Sequence, residues 1–228
     1  MKNKLLMIFF ILFVTFTVSA QRSEVGLFGG SSFYNGDINP INHFRLSKPQ
    51  FAYGLFYRHN FDSRLAMKLS YTQGTLKDDD LSSNFQPVRY ISFTTLINEL
   101  SAQFEVNFFD FSIDGENNRI TPYIFGGVGL TAINVVNLTN VYIPGITDSK
   151  YGDNTTIASF PIGVGVKYCP VSNMALGFEW GIRKTNSSRL DGVHTDPYRS
   201  SAENDWYSFA GFSISFNLNI LKSERCYQ

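Results

Sequence analysis

Alternation between large apolar residues and small or charged residues is the feature that most constrains this chain. In the segment Met174–Arg183, the even positions carry Met, Leu, Phe, Trp and Ile, whereas the odd positions carry Ala, Gly, Glu, Gly and Arg. A period of two indicates a β-strand with one apolar face. A strand that faced water would not carry this row of large apolar residues. A strand that faced a packed core would not carry the charged residues Glu179 and Arg183. The pattern predicts a strand between lipid and a polar barrel lumen.

The same alternation recurs along the chain in segments whose lengths are near the roughly 9–11 residues that cross a bilayer on a tilt. The eight predicted strands are Glu24–Phe33, Phe51–Phe61, Leu65–Thr72, Asn98–Phe109, Thr121–Val135, Thr156–Tyr168, Met174–Arg183 and Trp206–Asn217. We therefore predict an all-β fold, an eight-stranded antiparallel transmembrane β-barrel with short periplasmic turns and long extracellular loops.

The predicted connections alternate in length. The segments 62–64 and 169–173 are short, and 110–120 is intermediate and rich in turn residues. The long ones are 34–50, 73–97, 136–155 and 184–205. Short turns of outer-membrane barrels face the periplasm and long loops face outward. Because the strand number is even, both termini are expected in the periplasm.

The first twenty residues resemble a secretion signal. Lys2 and Lys4 precede the apolar run Leu5–Val18, and small residues follow up to Ala20. The run is short for a membrane anchor, which needs about 20 apolar residues. We expect a signal peptide over 1–20, a barrel over 21–217 and a periplasmic tail over 218–228. Removing the two lysines from 19 basic residues leaves 17 against 19 acidic ones, a net charge of −2 that gives no case for nucleic-acid binding.

Charged residues fall on the faces of the predicted strands that point into the lumen. They are Glu24, Arg58, Lys68, Glu99, Glu105, Lys167, Glu179 and Arg183. Eight strands leave an interior just wide enough for side chains, and unpaired buried charges are costly. Four acids and four bases therefore predict a plugged lumen, with Glu24 and Lys167 solvated near a rim. The fifth strand is ambiguous, because both of its faces are apolar.

Catalytic and metal-binding patterns are weak. His43 and His194 fall in predicted outer loops, and the serines near His194 belong to a loop that is polar throughout. The run Asp78–Asp80 is expected to be a solvated loop segment. We therefore expect a protein without catalytic activity, metal or cofactor.

Several segments carry a family resemblance. The chain reads Glu24–Pro40 near its start, ending in Gly36-Asp37-Ile-Asn39-Pro40, and continues with Glu99–Phe108 and Pro122–Leu130. These segments resemble a family of small outer-membrane barrels of the Bacteroidota, with a departure at Thr131–Val135. The resemblance implies a role in the type IX secretion system, with a periplasmic ring of the lipoprotein PorK and its partner PorN as partners.

The two cysteines, Cys169 and Cys226, are predicted to lie in a periplasmic turn and in the tail. The roughly nine residues between the last strand and Cys226 can extend about 30 Å, so reach does not decide between bonding arrangements. A bond between the two, a bond from either to a partner, and an unbonded thiol all stay open. Cys226 is the preferred partner contact, because a tail tethers well.

Two functions follow from these observations. The first is a non-catalytic barrel subunit that anchors or organises the secretion ring through its turns and tail. The second is a free-standing surface barrel whose long loops bind host or matrix molecules. The loop aromatics that favour the second are Phe85, Tyr142, Tyr151 and Tyr198.

Overall fold

The computed structural model describes residues 23–35, 49–79, 91–113, 118–140, 147–148, 154–186, 193–195 and 206–218. Within them are ten strands: β1 (Ser23–Asn35), β2 (Gln50–Asn60), β3 (Leu65–Asp79), β4 (Ile91–Asn107), β5 (Ile120–Asn140), β6 (Thr147–Asp148), β7 (Asn154–Val171), β8 (Met174–Thr185), β9 (Val193–Thr195) and β10 (Trp206–Asn217). The predicted signal peptide and residues 219–228 of the predicted tail lie outside this range and remain predictions.

Eight of these strands close into an antiparallel barrel in the order β1-β10-β8-β7-β5-β4-β3-β2. The first and last strands complete the wall, with Glu24 opposite Asn217 and Asn35 opposite Trp206. The predicted fold, an all-β barrel of eight antiparallel strands, is confirmed. The short strands β6 and β9 pair with each other outside the barrel wall.

The outer surface of the barrel is apolar over its middle. Leu27 is 62% exposed, Phe212 is 71% exposed and Leu100 is 59% exposed. The inward positions between them are buried, and many are polar or charged. A protein surrounded by water would not present a continuous band of this kind, whereas the hydrocarbon core of a bilayer requires one. The structure is therefore that of an outer-membrane barrel. No helix among the described residues is long and apolar enough to cross a membrane.

The strands are longer at one end of the barrel than the sequence suggested. β3 runs on to Asp79 and β4 starts at Ile91, so both extend into the predicted loop 73–97. The prediction that Asp78 lies in a loop was wrong, since it pairs with Phe93. Outward residues such as Lys77 made this region look like a loop, although Leu76 and Ile97 face inward and are completely buried. We call this the loop end, and the opposite end, with the connections after β2, β4 and β7, the turn end.

The ambiguity of the fifth strand is settled by its neighbours. On β5, Ile124 and Leu130 face outward, whereas Tyr123 and Phe125 are buried in the lumen. Both rings need space that glycines on the adjacent strands supply. A Cβ atom on Gly165 would lie 2.6 Å from the Tyr123 ring, and one on Gly181 would lie 2.6 Å from the Phe125 ring. The aromatic residues of β5 therefore fill the lumen because the facing positions of β7 and β8 are glycines, which have no side chain.

Arginine substitutions at two equally exposed positions should separate a membrane-facing wall from a water-facing one. Leu27 lies in the middle of β1, and Val171, 63% exposed, lies beside the β7–β8 turn. We expect Leu27→Arg to destabilise the barrel in lipid by about 2–4 kcal/mol, because a charge at mid-membrane depth loses its hydration.

Val171→Arg is the matched control and should leave stability nearly unchanged. Urea unfolding of both variants in phospholipid vesicles measures the difference. Equal stability of the two variants would contradict a membrane-facing wall at Leu27.

Candidate functional site

The lumen near the turn end holds a cluster of three acids and three bases. We call it the lower ionic cluster; its members are Glu24, Arg58, Lys68, Glu105, Lys167 and Glu179. All are at least 93% buried. The prediction that Glu24 and Lys167 are solvated at a rim was wrong, because their exposed fractions are 0% and 1%. Sequence position placed them near strand ends, but other groups cover that end of the lumen.

Glu105 is the centre of the lower ionic cluster. Its carboxylate oxygens lie 2.6 Å from Lys167 Nζ, 2.9 Å from Arg58 Nε and 3.8 Å from Lys68 Nζ. Arg58 also donates from Nη1 to Glu24 at 2.9 Å. Lys68 Nζ lies 2.6 Å from Glu179. Each cation therefore has a carboxylate partner, and the six charges balance.

Neutral side chains add hydrogen bonds to this cluster. Tyr123 donates its hydroxyl to Glu179 at 3.0 Å, and Ser215 donates to Glu24 at 2.8 Å. Aromatic rings lie beneath the cations, with Lys167 Nζ 4.5 Å from the centre of the Tyr123 ring. A ring face attracts a cation that has lost its water. The cluster is therefore a polar layer inside the barrel in which every charged group lies beside an oppositely charged one.

A second, smaller group of charges lies closer to the loop end. Glu99 accepts hydrogen bonds from Arg183 Nε at 3.3 Å and from the Tyr207 hydroxyl at 2.6 Å. Arg183 is 4.6 Å above the Phe209 ring. The sequence suggested six residues for a lumen charge network, and all six lie inside the barrel and take part in salt bridges. They are Arg58, Lys68, Glu99, Glu105, Glu179 and Arg183.

Beyond these charges the lumen is filled by apolar side chains. They are Phe28, Tyr34, Ala52, Leu76, Ile97, Ile133, Ile157, Tyr207 and Phe209. This part of the interior was not predicted, because Leu76 and Ile97 lie in the segment 73–97 that was predicted to be a loop. The signal that could have found them is the alternation of Leu76 with the polar residues Thr75 and Lys77 on either side.

The turn end is closed by the connection between β4 and β5. Phe111 and Ile113 are 5% and 4% exposed and form an apolar cluster with Cys169 and Ala175. Backbone hydrogen bonds join this connection to its neighbours: Phe111 N donates to Ser63 O at 3.0 Å and Asn173 N donates to Ile113 O at 2.9 Å. The three turns therefore form a single linked surface, which we call the turn platform.

The predicted place of Cys169 changes in the structure. The sequence suggested a turn over 169–173, but β7 continues to Val171 through an irregular register after Tyr168. The turn is only Ser172 and Asn173, and Asn173 has the positive φ of 73° that asparagine tolerates well. Cys169 is 1% exposed, and its thiol lies 3.3 Å from Ile113 O. Cys226 lies outside the described residues, so the disulfide predictions remain predictions.

An ion pair between Arg64 and Asp110 lies on the outer face of the turn platform. Arg64 Nε donates to Asp110 at 2.7 Å, and both side chains are at least half exposed. Hydrogen bonds from Arg64 and Ser63 lower the pKa of Asp110. A lowered pKa means that the stabilising charge is present at neutral pH and is lost only as the pH falls through that lowered value. This pair is therefore constant across physiological pH.

One serine–histidine pair occurs among the described residues. Ser23 Oγ lies 3.0 Å from His59 Nδ1 and 2.9 Å from the Tyr57 hydroxyl. A histidine base normally needs a third group that orients it. Among the described residues no carboxylate contacts His59, so this pair lacks that group. The backbone of His194 lies in β9.

Other sequence candidates fall outside the described residues. These are Gly36, Asp37, Asn39 and Pro40 of the family motif, His43, and the loop aromatics Phe85, Tyr142, Tyr151 and Tyr198. Within the described part of the chain, no group of three or more potential ligands could hold a metal ion.

Neutralising Glu105 should be among the most damaging single changes in the lumen. Glu105→Gln removes the carboxylate that faces Arg58, Lys167 and Lys68 and leaves buried cations without it. We expect a loss of about 3–5 kcal/mol, the usual cost of breaking a buried pair from one side. Equilibrium unfolding in lipid or detergent measures it.

Asp110→Asn is the matched control, since it breaks an ion pair that is exposed to solvent. We expect no measurable loss of stability from it, because exposed pairs contribute little. If Glu105→Gln were as stable as Asp110→Asn, the lower ionic cluster would not be a stabilising element.

Comparison with known proteins gives a family and several similar folds. The family described as "Domain of unknown function (DUF6089)" matches residues 3–227. No curated protein matches the chain.

Three solved structures show the range of similar barrels. Neisserial surface protein A is 11% identical, with a TM-score of 0.48 over 87% of this chain and 97% of that one. Ail of Yersinia pestis is 14% identical, with a TM-score of 0.42 over 86% and 97%. OprG of Pseudomonas aeruginosa is 11% identical, with a TM-score of 0.40 over 86% and 97%. Identities this low carry no inference about activity. The match to the family spans nearly the whole sequence, and the chain therefore belongs to the DUF6089 family.

Proposed function

We propose that this protein is a non-catalytic outer-membrane barrel subunit of the type IX secretion machinery, which anchors or organises the periplasmic lipoprotein ring. In sequence it resembles PorG, the small barrel of that machine, in the segments Glu24–Pro40, Glu99–Phe108 and Pro122–Leu130. The proposed partners are PorK and PorN. The proposal puts both termini in the periplasm, on the side of the turn platform.

The turn platform is the observation that carries this proposal. A subunit that positions a ring needs a surface whose parts keep fixed relative positions. Three connections meet that need, since Asn107 N donates to Arg64 O at 2.7 Å and Asn173 N donates to Ile113 O at 2.9 Å. The last strand joins them, because Asn217 N donates to Asn173 O at 3.0 Å.

The filled lumen supports a role without transport through the barrel. Charges and apolar side chains occupy the interior along the described strands, and Phe111 and Ile113 cover the turn end. Cargo proteins would have no passage through such a barrel, so a contribution to export has to be made by its outer surfaces. The same filling disfavours a conducting pore.

Deletion of the gene should stop export of cargo that bears the C-terminal secretion signal. The expected result is accumulation of cargo in the periplasm and its loss from the medium, measured by immunoblotting of cell fractions. Re-expression of the full chain is the control. Normal export in a clean deletion strain would contradict the proposal.

Pull-down of the native protein, with and without reductant, should identify the partner and its linkage. We expect a lipoprotein partner in the eluate, and a high-mass band that disappears with reductant and with Cys226→Ser. Cys169→Ser should leave that band unchanged, because Cys169 is buried in β7. Partners that co-elute with and without reductant would support the ring partnership and contradict the intermolecular disulfide. A lone monomer in both lanes would contradict the ring partnership.

The alternative is a free-standing surface barrel whose loops mediate adhesion or binding. The observation that favours it is the pairing of β6 with β9, which joins two long connections by backbone hydrogen bonds, with Thr147 opposite Thr195. Deleting residues 196–205 separates the two functions. Anchoring should survive this loss, whereas adhesion should not. His194→Ala tests whether the histidine of this loop has a catalytic role, and we expect it to change neither anchoring nor adhesion.

A further inference from the structure

An apolar groove lies in the membrane-facing band of the outer wall. It crosses β4, β5, β7 and β8, with Phe104 and Val106 on one side and Trp180 and Ile182 on the other, and encloses about 630 Å³. That volume lies in the range of roughly 300–1,000 Å³ that is usual for ligand sites. The floor of the groove is at Gly126.

The groove exists because one position in the outward row of β5 lacks a side chain. Ile124 and Val128, on either side of Gly126, are outward and exposed. A Cβ atom on Gly126 would have only Pro161 O within 4 Å, at 4.0 Å. The ladder between β5 and β7 is also interrupted next to it, between the pairs Gly126–Ile162 and Gly129–Ser159. Pro161 lies in this interruption and has no N–H to donate to the ladder.

The shape and chemistry of the groove select a single hydrocarbon chain. Its walls are apolar side chains, and it lies in the part of the surface that faces lipid. Neighbouring strands are about 4.8 Å apart, so the gap left by one missing side chain is too narrow for a helix of about 10–12 Å diameter. An extended acyl chain has the width that this gap can take.

Arg119 supplies a charge where the head group of such a lipid would lie. It is exposed at the foot of β5, seven residues before Gly126 and next to the pair Ile120–Tyr168. Seven residues span about 23 Å along a strand, which at a tilt of 45° is about 16 Å of depth, roughly one half of a bilayer's hydrocarbon core. The same tilt displaces Arg119 by about 16 Å along the wall, so an acyl chain that joins Gly126 to Arg119 follows the direction of the strand. Tyr168 is 45% exposed, and tyrosines of this kind mark the membrane–water interface.

We propose that the groove binds one acyl chain of a phosphoglycerolipid from the leaflet next to the turn end, with the lipid phosphate at Arg119. The cation selects this source over an acyl-modified lipoprotein, whose anchor carries no phosphate. Binding here does not depend on the secretion role, because the acyl chain uses the outer wall and the head group reaches the turn platform only at Arg119, at the end of the β4–β5 connection. A lipid held at this place would fill the wall where the ladder is interrupted.

Native mass spectrometry of the full barrel in detergent, titrated with phosphatidylglycerol, tests the site. Gly126→Leu fills the groove, and its Cβ would meet only Pro161 O at 4.0 Å, an ordinary contact distance. We expect its affinity to fall about tenfold, a change of about 1.4 kcal/mol. Gly29→Leu is the matched control, because Gly29 is outward on β1 and a Cβ there would meet nothing within 4 Å. This control should bind as the wild type does.

Arg119→Gln tests the head group separately and needs no change in the wall. We expect its affinity for phosphatidylglycerol to fall to that of the wild type for diacylglycerol, which has the chains without the phosphate. Heat-dependent migration on gels verifies that each variant is folded. The proposal is overturned if Gly126→Leu binds like the wild type. It is also overturned if Arg119→Gln has no effect while a diacylated lipopeptide binds as tightly as phosphatidylglycerol.

Discussion

Charge neutrality inside a closed wall is the constraint on which this structure depends. An eight-stranded barrel has room for side chains but little else, so every charge that points inward must find its partner there. Glu105 meets this demand by lying within 4 Å of three cations. Two of these cations form a second ion pair each, Arg58 with Glu24 and Lys68 with Glu179. These contacts link β1, β2, β3, β4, β7 and β8 across the interior. The wall holds its shape partly because its contents are bonded to one another.

The filling of the lumen depends on size as well as on charge. Tyr123 and Phe125 take the space opposite Gly165 and Gly181, and the Tyr123 hydroxyl reaches Glu179 from there. Towards the loop end, Tyr207 makes the equivalent contact with Glu99. Each tyrosine therefore joins an apolar layer to a charged one. The turn end is closed differently, by backbone hydrogen bonds between connections, and this leaves its outer face available for contacts.

Much of the wall could be predicted from the sequence, because a period of two is a direct consequence of strand geometry. The bounds of β8 and β10 agree with the prediction to within two residues, and the inward position of the charges follows from the same alternation. The prediction failed where alternation had two explanations. Around Leu76 and Ile97 the outward residues are polar because the strands continue past the apolar band, and a polar run looks like a loop. On β5 the inward residues are aromatic, and only the glycines of β7 and β8 explain why.

The site was harder to predict than the wall. Sequence position alone placed Glu24 and Lys167 at a solvated rim, since nothing in a linear pattern shows that Phe111 and Ile113 fold over the end of the lumen. Cys169 was predicted to lie in a turn, yet β7 continues past Pro170 to Val171 through an irregular register. Contacts between distant connections, such as Asn173 with Ile113, are set by closure of the barrel.

The pairing of β1 with β10 has a consequence for how this protein is made. Glu24 near the start of the described chain accepts a hydrogen bond from Ser215, 191 residues later, and the two strands lie side by side along their whole length. Contacts of such long range form late, because the intervening chain must first be ordered. A chain that is still being delivered has exposed edges and no finished wall. Closure of the barrel therefore has to wait for the last strand, and until β10 pairs with it, β1 keeps one unpaired edge.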